Sequence, residues 1–108
     1  MKFVIRPAAR QDILTQYLYF LEENAPAAAM RFVEAAETTI SKLCEQPTIG
    51  APKKIKNPRL HGLRRWPIHG FEVVGIYYLL AEDLLRVIRV LHAKRDVERI
   101  LNEQTEQK

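Results

Sequence analysis

The period of the apolar positions changes along the chain, and the changes divide it into elements. Residues 2–6 are apolar at their centre and closed by Pro7, which reads as a first or edge strand. Over residues 8–23 the period becomes helical: Ile13, Leu14, Tyr17, Leu18 and Leu21 recur at spacings of three and four, which predicts one apolar face. Asn24-Ala25-Pro26 ends that helix, because a residue before proline is pushed out of the helical region. Pro26 then opens a second helix, where its missing N–H is no loss. Ala29, Phe32, Val33, Ala36, Ile40 and Leu43 mark its buried side, and Pro47 stops it. Two amphipathic helices joined so tightly should form an antiparallel hairpin.

After Pro47 the pattern is first irregular and then strand-like. Pro47, Gly50, Pro52 and Pro58 mark residues 47–59 as loop. A short strand is predicted over 63–66, a turn over 67–70 and a longer strand over 71–80. Both alternating sets of that strand, Phe71/Val73/Tyr77/Leu79 and Val74/Ile76/Tyr78/Leu80, are apolar, which predicts a central strand covered on both faces. Glu82-Asp83 makes a turn into a last strand, Leu84–His92. Strict alternation there would put Leu85, Val87, Arg89 and Leu91 on one face, and Arg86, Ile88, Val90 and His92 on the other. Residues 95–103 suggest a short helix with Val97, Ile100 and Leu101 on one side, and residues from about 104 to 108 read as a frayed tail. Helices followed by strands predict an α+β fold: an N-terminal strand, an antiparallel helical hairpin packed on a largely antiparallel sheet, and a short C-terminal helix, all in a single domain over residues 1–108.

Composition narrows the class. A single cysteine cannot close an intrachain disulfide, so a disulfide-framed secreted miniprotein is excluded. No apolar run approaches the roughly 18 residues that span a bilayer. The N-terminal segment has no apolar core of the signal-peptide kind, so a soluble cytoplasmic protein is expected, with no membrane partner. The net charge of +4 is unevenly distributed: residues 1–50 carry 5 basic and 6 acidic side chains, residues 51–108 carry 12 and 7. The positive half points to an anionic partner.

Most enzyme signatures are absent. Gly50, Gly62, Gly70 and Gly75 form neither a P-loop nor a dinucleotide fingerprint. His61, His69 and His92 lack a carboxylate or cysteine at metal-ligand spacing, so neither a metal nor a cofactor is expected. Cys44 falls on the helical repeat after Ile40 and reads as a small apolar residue rather than a nucleophile. The strongest feature is the stretch 46–71, which has no acidic residue but holds Lys53, Lys54, Lys56, Arg59, Arg64 and Arg65 beside Trp66 and Phe71. Cations interleaved with aromatics suit phosphate or acidic protein surfaces, whereas Trp66 by itself reads first as a core residue. Arg64 and Arg65, being adjacent on a strand, should face opposite ways. A second cluster, Arg86, Arg89, His92, Lys94, Arg95 and Asp96, ends a strand, where binding groups are often placed. Its plain reading is that Asp96 caps the last helix or pairs with Arg95 or Arg99.

Taken in order, several pieces resemble one family. They are Asp12-Ile13, Asn24-Ala25-Pro26-Ala27-Ala28, Phe32, Leu43 with Gln46-Pro47 and Gly50, Leu63-Arg64, Tyr77-Tyr78, and the run from Arg89 to Asp96, Arg-Val-Leu-His-Ala-Lys-Arg-Asp. The set is similar to the ParE branch of the ParE/RelE superfamily, the toxin half of type II toxin–antitoxin modules that serve plasmid stabilisation, over residues 2 to about 101. The resemblance implies the hairpin-on-sheet fold already read from periodicity.

It also offers two chemistries. RelE-type members are ribosome-dependent mRNA endonucleases; their third strand opens with aromatic-Arg, and their last helix often carries a Tyr. Here the matching positions read Phe71-Glu72 and, after Lys94-Arg95, Asp96-Val97-Glu98-Arg99-Ile100. A glutamate would repel a scissile phosphate. ParE-type members bind DNA gyrase and need no catalytic residue. The resemblance therefore implies target binding by Arg64, Arg65, His92, Lys94, Arg95 and Asp96, with direct nucleic-acid contact secondary. It also implies a cognate antitoxin held in a hetero-oligomer. Tyr17, Tyr19 and Phe20 give the hairpin more aromatic surface than one core face needs, which makes them the expected antitoxin-docking residues. The RelE-like nuclease and a non-toxic degenerate relative remain as alternatives.

Overall fold

Pro7 and Pro26 open the two long helices of the computed structural model, which describes residues 1–104. The elements run β1 (Lys2–Ile5), α1 (Pro7–Glu22), α2 (Pro26–Glu45), β2 (Ala51–Pro52), a 3₁₀ turn (Pro58–Leu60), β3 (Arg64–Ile68), β4 (Phe71–Ala81), β5 (Leu84–His92) and α3 (Val97–Asn102). The tail expected over 105–108 lies outside the described residues.

The helical hairpin turns where the sequence predicts, and for a local reason. Asn24 takes a left-handed φ of 60°, which a short polar side chain tolerates. The Ala25 N–H then reaches the Phe20 carbonyl at 2.8 Å and the Asn24 N–H the Leu21 carbonyl at 3.0 Å, satisfying the last carbonyls of α1.

The sheet order is β1-β5-β4-β3-β2, antiparallel throughout except for the parallel pair β1·β5. The hairpin covers one face: Phe32, Ile40, Leu43, Ile68, Ile76 and Tyr78 are fully buried there. Leu60, Leu63, Ile88, Leu91 and Leu101 close a second cluster on the opposite face, beneath α3 and residues 55–63. β4 is thus central and covered on both sides, as its two apolar sets predict. Each large side chain so buried contributes about 1.5–3 kcal/mol. Among the described residues no helix is long and apolar enough to cross a membrane.

Four expectations are corrected. First, Leu14, Leu18 and Leu21 do not share the core face of α1 with Ile13; they are 46, 43 and 39% exposed, and the buried line of the helix is Ala9 and Asp12, with Ile13 and Phe20 packed on the core. Apolar and polar residues are scattered round the helix, so spacing alone could not tell its inner stripe from its outer one. Second, Pro67 lies within β3 rather than in a turn. β2 reaches only Arg64 and Arg65, so the far end of β3 is an edge, where a missing N–H is harmless. Third, β2 itself was not anticipated, because two residues, one of them proline, carry no period.

Fourth, the alternation of β5 breaks. Tyr77 pairs with Arg89 and Tyr78 with Val87, leaving Ile88 as an extra residue. Leu85 and Val87 therefore share the hairpin-side core with Val90, while Ile88 and Leu91 pack beneath α3.

Candidate functional site

Two arginines adjacent in β3 part company. Arg64 turns to the hairpin face and donates from Nη1 to the carbonyls of Thr48 (3.1 Å) and Gly50 (2.8 Å). The same loop is held from the other side by Tyr78, whose hydroxyl donates to the Pro47 carbonyl at 2.7 Å and accepts from the Gly50 N–H at 3.0 Å. A Cβ on Gly50 would collide with that phenol, so glycine is needed for the approach. Burial pushes the Tyr78 phenol above its usual pKa, and the hydroxyl stays a neutral donor. Arg64 thus fastens the chain that leaves α2, its half-exposed guanidinium held by those two carbonyls.

Arg65 faces the other way. Its guanidinium lies over the Tyr77 ring, 5.9 Å from the centroid, and occupies the space that a Cβ on Gly75 would fill. Nη2 donates to the Glu72 carbonyl at 3.4 Å. One residue further on, the Val73 carbonyl accepts from the Ala93 N–H at 2.7 Å, so the head of Arg65 and the turn 93–95 flank the same end of β4. Of the six residues expected at the target surface, the structure gathers Arg65, His92, Lys94, Arg95 and Asp96 at this end and sends Arg64 elsewhere.

The turn is built by local bonds. His92 Nδ1 accepts from the Lys94 N–H at 3.0 Å, and the Arg95 N–H donates to the His92 carbonyl at 3.0 Å. Lys94 and Arg95 project as exposed cations. Asp96 caps α3 by accepting from the Arg99 N–H at 3.3 Å and pairs with the Arg99 side chain at 3.3 Å. The pair is largely solvated and contributes little stability.

The tyrosines of β4, Glu72 and Cys44 are each held in ways that disfavour acid–base or nucleophilic chemistry. Tyr77 is 3% exposed and Tyr78 fully buried. Glu72 is exposed at the β3–β4 turn, where the Gly70 N–H donates to Oε2 at 2.8 Å and holds the carboxyl below its ordinary pKa. Burial raises the Cys44 thiol, which disfavours the thiolate. Among the described residues no three His, Cys, Asp or Glu side chains are placed to hold a metal ion.

On the hairpin, the three aromatics expected to dock an antitoxin differ in availability. Tyr19 is 52% exposed, Tyr17 half-buried, and Phe20 stacks inward against Phe32 and Phe71 with ring centroids 5.9 and 5.8 Å away. Tyr19, Phe20, Phe71, Val73 and Val74, with Lys94, border an open groove of about 440 Å³. Sequence reading missed this groove because Phe71 and Val73 were assigned to one buried set, whereas Val73 is 55% exposed.

It also missed Asp12. The carboxylate takes Arg89 Nε at 2.7 Å and Nη2 at 2.8 Å, plus the Val90 N–H at 2.9 Å. β1 pairs with β5 only as far as Val87, and Asp12 satisfies the edge beyond it. Two pieces of the family-like pattern, at opposite ends of the chain, are therefore one buried ion pair.

Residues 3–97 match the family described as the ParE toxin of the type II toxin–antitoxin system, parDE. The chain belongs to the ParE toxin family. Among solved structures, the fold is similar to one from the chromosomal ParDE toxin–antitoxin system of P. aeruginosa, at 15% identity and a TM-score of 0.69, with 85% of this chain and 95% of that one covered. No curated protein matches this ParE-family chain by sequence. Its hairpin, mostly antiparallel sheet and short last helix are the ParE-like fold that the sequence pattern predicts.

Proposed function

We propose that this ParE-family toxin arrests growth in the cytoplasm by binding a protein target, DNA gyrase first, and that a cognate antitoxin neutralises it in a hetero-oligomer. The observation that carries the reading is the exposed turn 93–96, with Lys94 and Arg95 in solvent, His92 and Asp96 bonded into the turn itself, and both tyrosines of β4 buried. Such a surface can dock on an acidic protein face. Arg65, His92, Lys94, Arg95 and Asp96 form the target surface in this reading, with His92 and Asp96 setting the turn. Arg64 supports the fold from outside it.

The RelE-like ribonuclease alternative draws on the exposed Lys54, Lys56 and Arg59. Against it stand Glu72 at the strand opening and the burial of both tyrosines of β4. The purified chain should inhibit gyrase supercoiling and accumulate cleaved DNA. Unaffected gyrase at micromolar toxin would overturn the gyrase reading, and cut transcripts in primer extension would favour the alternative.

A further inference from the structure

Helix α1 has an apolar seam on the side that the core does not use. Ala9, Asp12, Ile13 and Phe20 pack inward, whereas Leu14, Leu18 and Leu21 stand exposed on the outer side. Single exposed leucines need no explanation. These three recur at spacings of four and three, which lines them up over about two helical turns, the rhythm of a two-helix contact. None of them borders the groove beside Tyr19 or the hollow between α1 and α2.

The charges along the helix decide what covers the seam. α1 opens with Arg6 at its N-cap and Arg10 a turn later, and it closes on Glu22 and Glu23, with no acid in its first turn and no base in its last. This order opposes the helix macrodipole, which favours carboxylates at the start and cations at the end. Arg10 and Glu22 are both exposed, and neither has an ion-pair partner among the described residues. Glu37, across the hollow between the helices, is not within ion-pair distance of Arg10. The seam thus calls for a helix that is apolar at the same spacing and carries the reverse run of charge. A second α1 turned end for end is such a helix: its acidic end lies beside Arg10, its basic end beside Glu22, and its leucines meet the seam. In a parallel pair, by contrast, like charges coincide.

We infer that the outer face of α1 is a self-association site, where two copies of this chain pair antiparallel about a two-fold axis near Leu18, with Leu14 of one copy against Leu21 of the other. The contact spans only two turns, short of the roughly 800 Å² per partner of a standard interface, so the pair is weak and assembles at about 10–100 µM. It depends on neither the target nor the antitoxin, and each pair carries the turn 93–96 twice.

Sedimentation equilibrium of the purified full chain from about 1 to 500 µM tests this, with circular dichroism melts of each variant in the dilute range. The wild type should pass from monomer to dimer across that range. Leu18→Glu sets two carboxylates at the two-fold axis and should raise the dissociation constant at least about tenfold. Val73→Glu, the same change at an exposed apolar residue of β4, should stay within about twofold. Arg10→Glu and Glu22→Arg should each weaken the pair about three- to tenfold, less at high salt. Glu22→Arg should do so while leaving the monomer's melting temperature unchanged or higher, because it corrects a charge at its own helix end. The two together should restore association to within about twofold of wild type, the reversed helices being complementary again. A chain still monomeric at about 500 µM overturns the inference, and so does a double variant as weak as either single one. A monomeric wild type whose Leu18→Glu variant loses antitoxin binding gives the seam to that partner and overturns it as well.

Discussion

Removing the Asp12 carboxylate should destabilise this protein more than any surface change. In Asp12→Ala, Arg89 keeps its guanidinium only 16% exposed but loses both charged hydrogen bonds, and the Val90 N–H loses its acceptor. An orphaned buried N–H costs about 1–3 kcal/mol and an uncompensated buried charge about 3–5. The two overlap, because water admitted to solvate Arg89 also reaches Val90, so the expected loss is about 3–5 kcal/mol. Against a total stability of roughly 5–15 kcal/mol this is a large fraction. It should lower the midpoint of thermal unfolding by at least ~12 °C. Urea denaturation of the wild type, Asp12→Ala, Arg89→Met and the double variant gives the coupling directly. Because the double variant no longer buries a lone charge, it should be more stable than Asp12→Ala alone. A loss below about 1 kcal/mol in Asp12→Ala, or a double variant no more stable than it, would refute the assignment of a buried, mutually compensating pair.

Other outcomes follow from single contacts. Tyr78→Phe should cost about 1–3 kcal/mol in urea melts, since the Gly50 N–H and Pro47 carbonyl lose their partner. Because burial raises the Tyr78 phenol while the unfolded chain ionises near pH ~10, its contribution is complete below that pH and lost as pH rises through the folded value. The stability gap between wild type and Tyr78→Phe should therefore narrow in alkali, and a constant gap would contradict the burial argument. Asn57→Ala removes the Nδ2 donors to the Leu101 and Gln104 carbonyls, 3.0 and 2.7 Å away, and should raise hydrogen exchange in α3 before it affects the sheet. Glu82 holds a left-handed φ of 56°, so Glu82→Asn should stabilise by about 0.5–1 kcal/mol in the same melts. The pair Lys94→Glu and Arg95→Glu should relieve growth arrest on induction while stability stays within about 0.5 kcal/mol of wild type; undiminished toxicity would remove this turn from the target surface.

Sequence patterns located the elements better than the faces. The period of α2 named its buried residues, and the last strand has the bounds its apolar run suggested, because both elements are regular and strongly one-sided. α1 is neither: its inner line includes a charged residue, and no hydropathy rule reads a carboxylate as buried. Asp12 makes sense only once Arg89 is beside it, 77 positions later. The parity of β5 failed for a similar reason, since the extra residue at Ile88 leaves no local sign. Within the candidate site, Asp96 as a helix cap and the opposite facing of Arg64 and Arg65 were legible, being rules of local geometry. That Arg64 would be engaged by the Thr48 and Gly50 carbonyls was not, because carbonyls are sequence-independent acceptors. The groove escaped notice because α1 and the sheet end that form it come from distant parts of the chain.

The parallel pairing of β1 with β5 bears on the order in which this chain folds. Lys2 aligns with Leu84 and Ile5 with Val87, so the first strand has no partner until residues 84–87 have been made. The helical hairpin can form from its own contacts during synthesis, but the sheet edge closes last and over the greatest separation, the slowest kind of contact to make. Until β5 emerges, the growing chain carries an unpaired apolar strand and lacks the turn 93–96 altogether. A chain broken off before β5 is therefore an aggregation-prone fragment that lacks both the partner of its first strand and the turn 93–96.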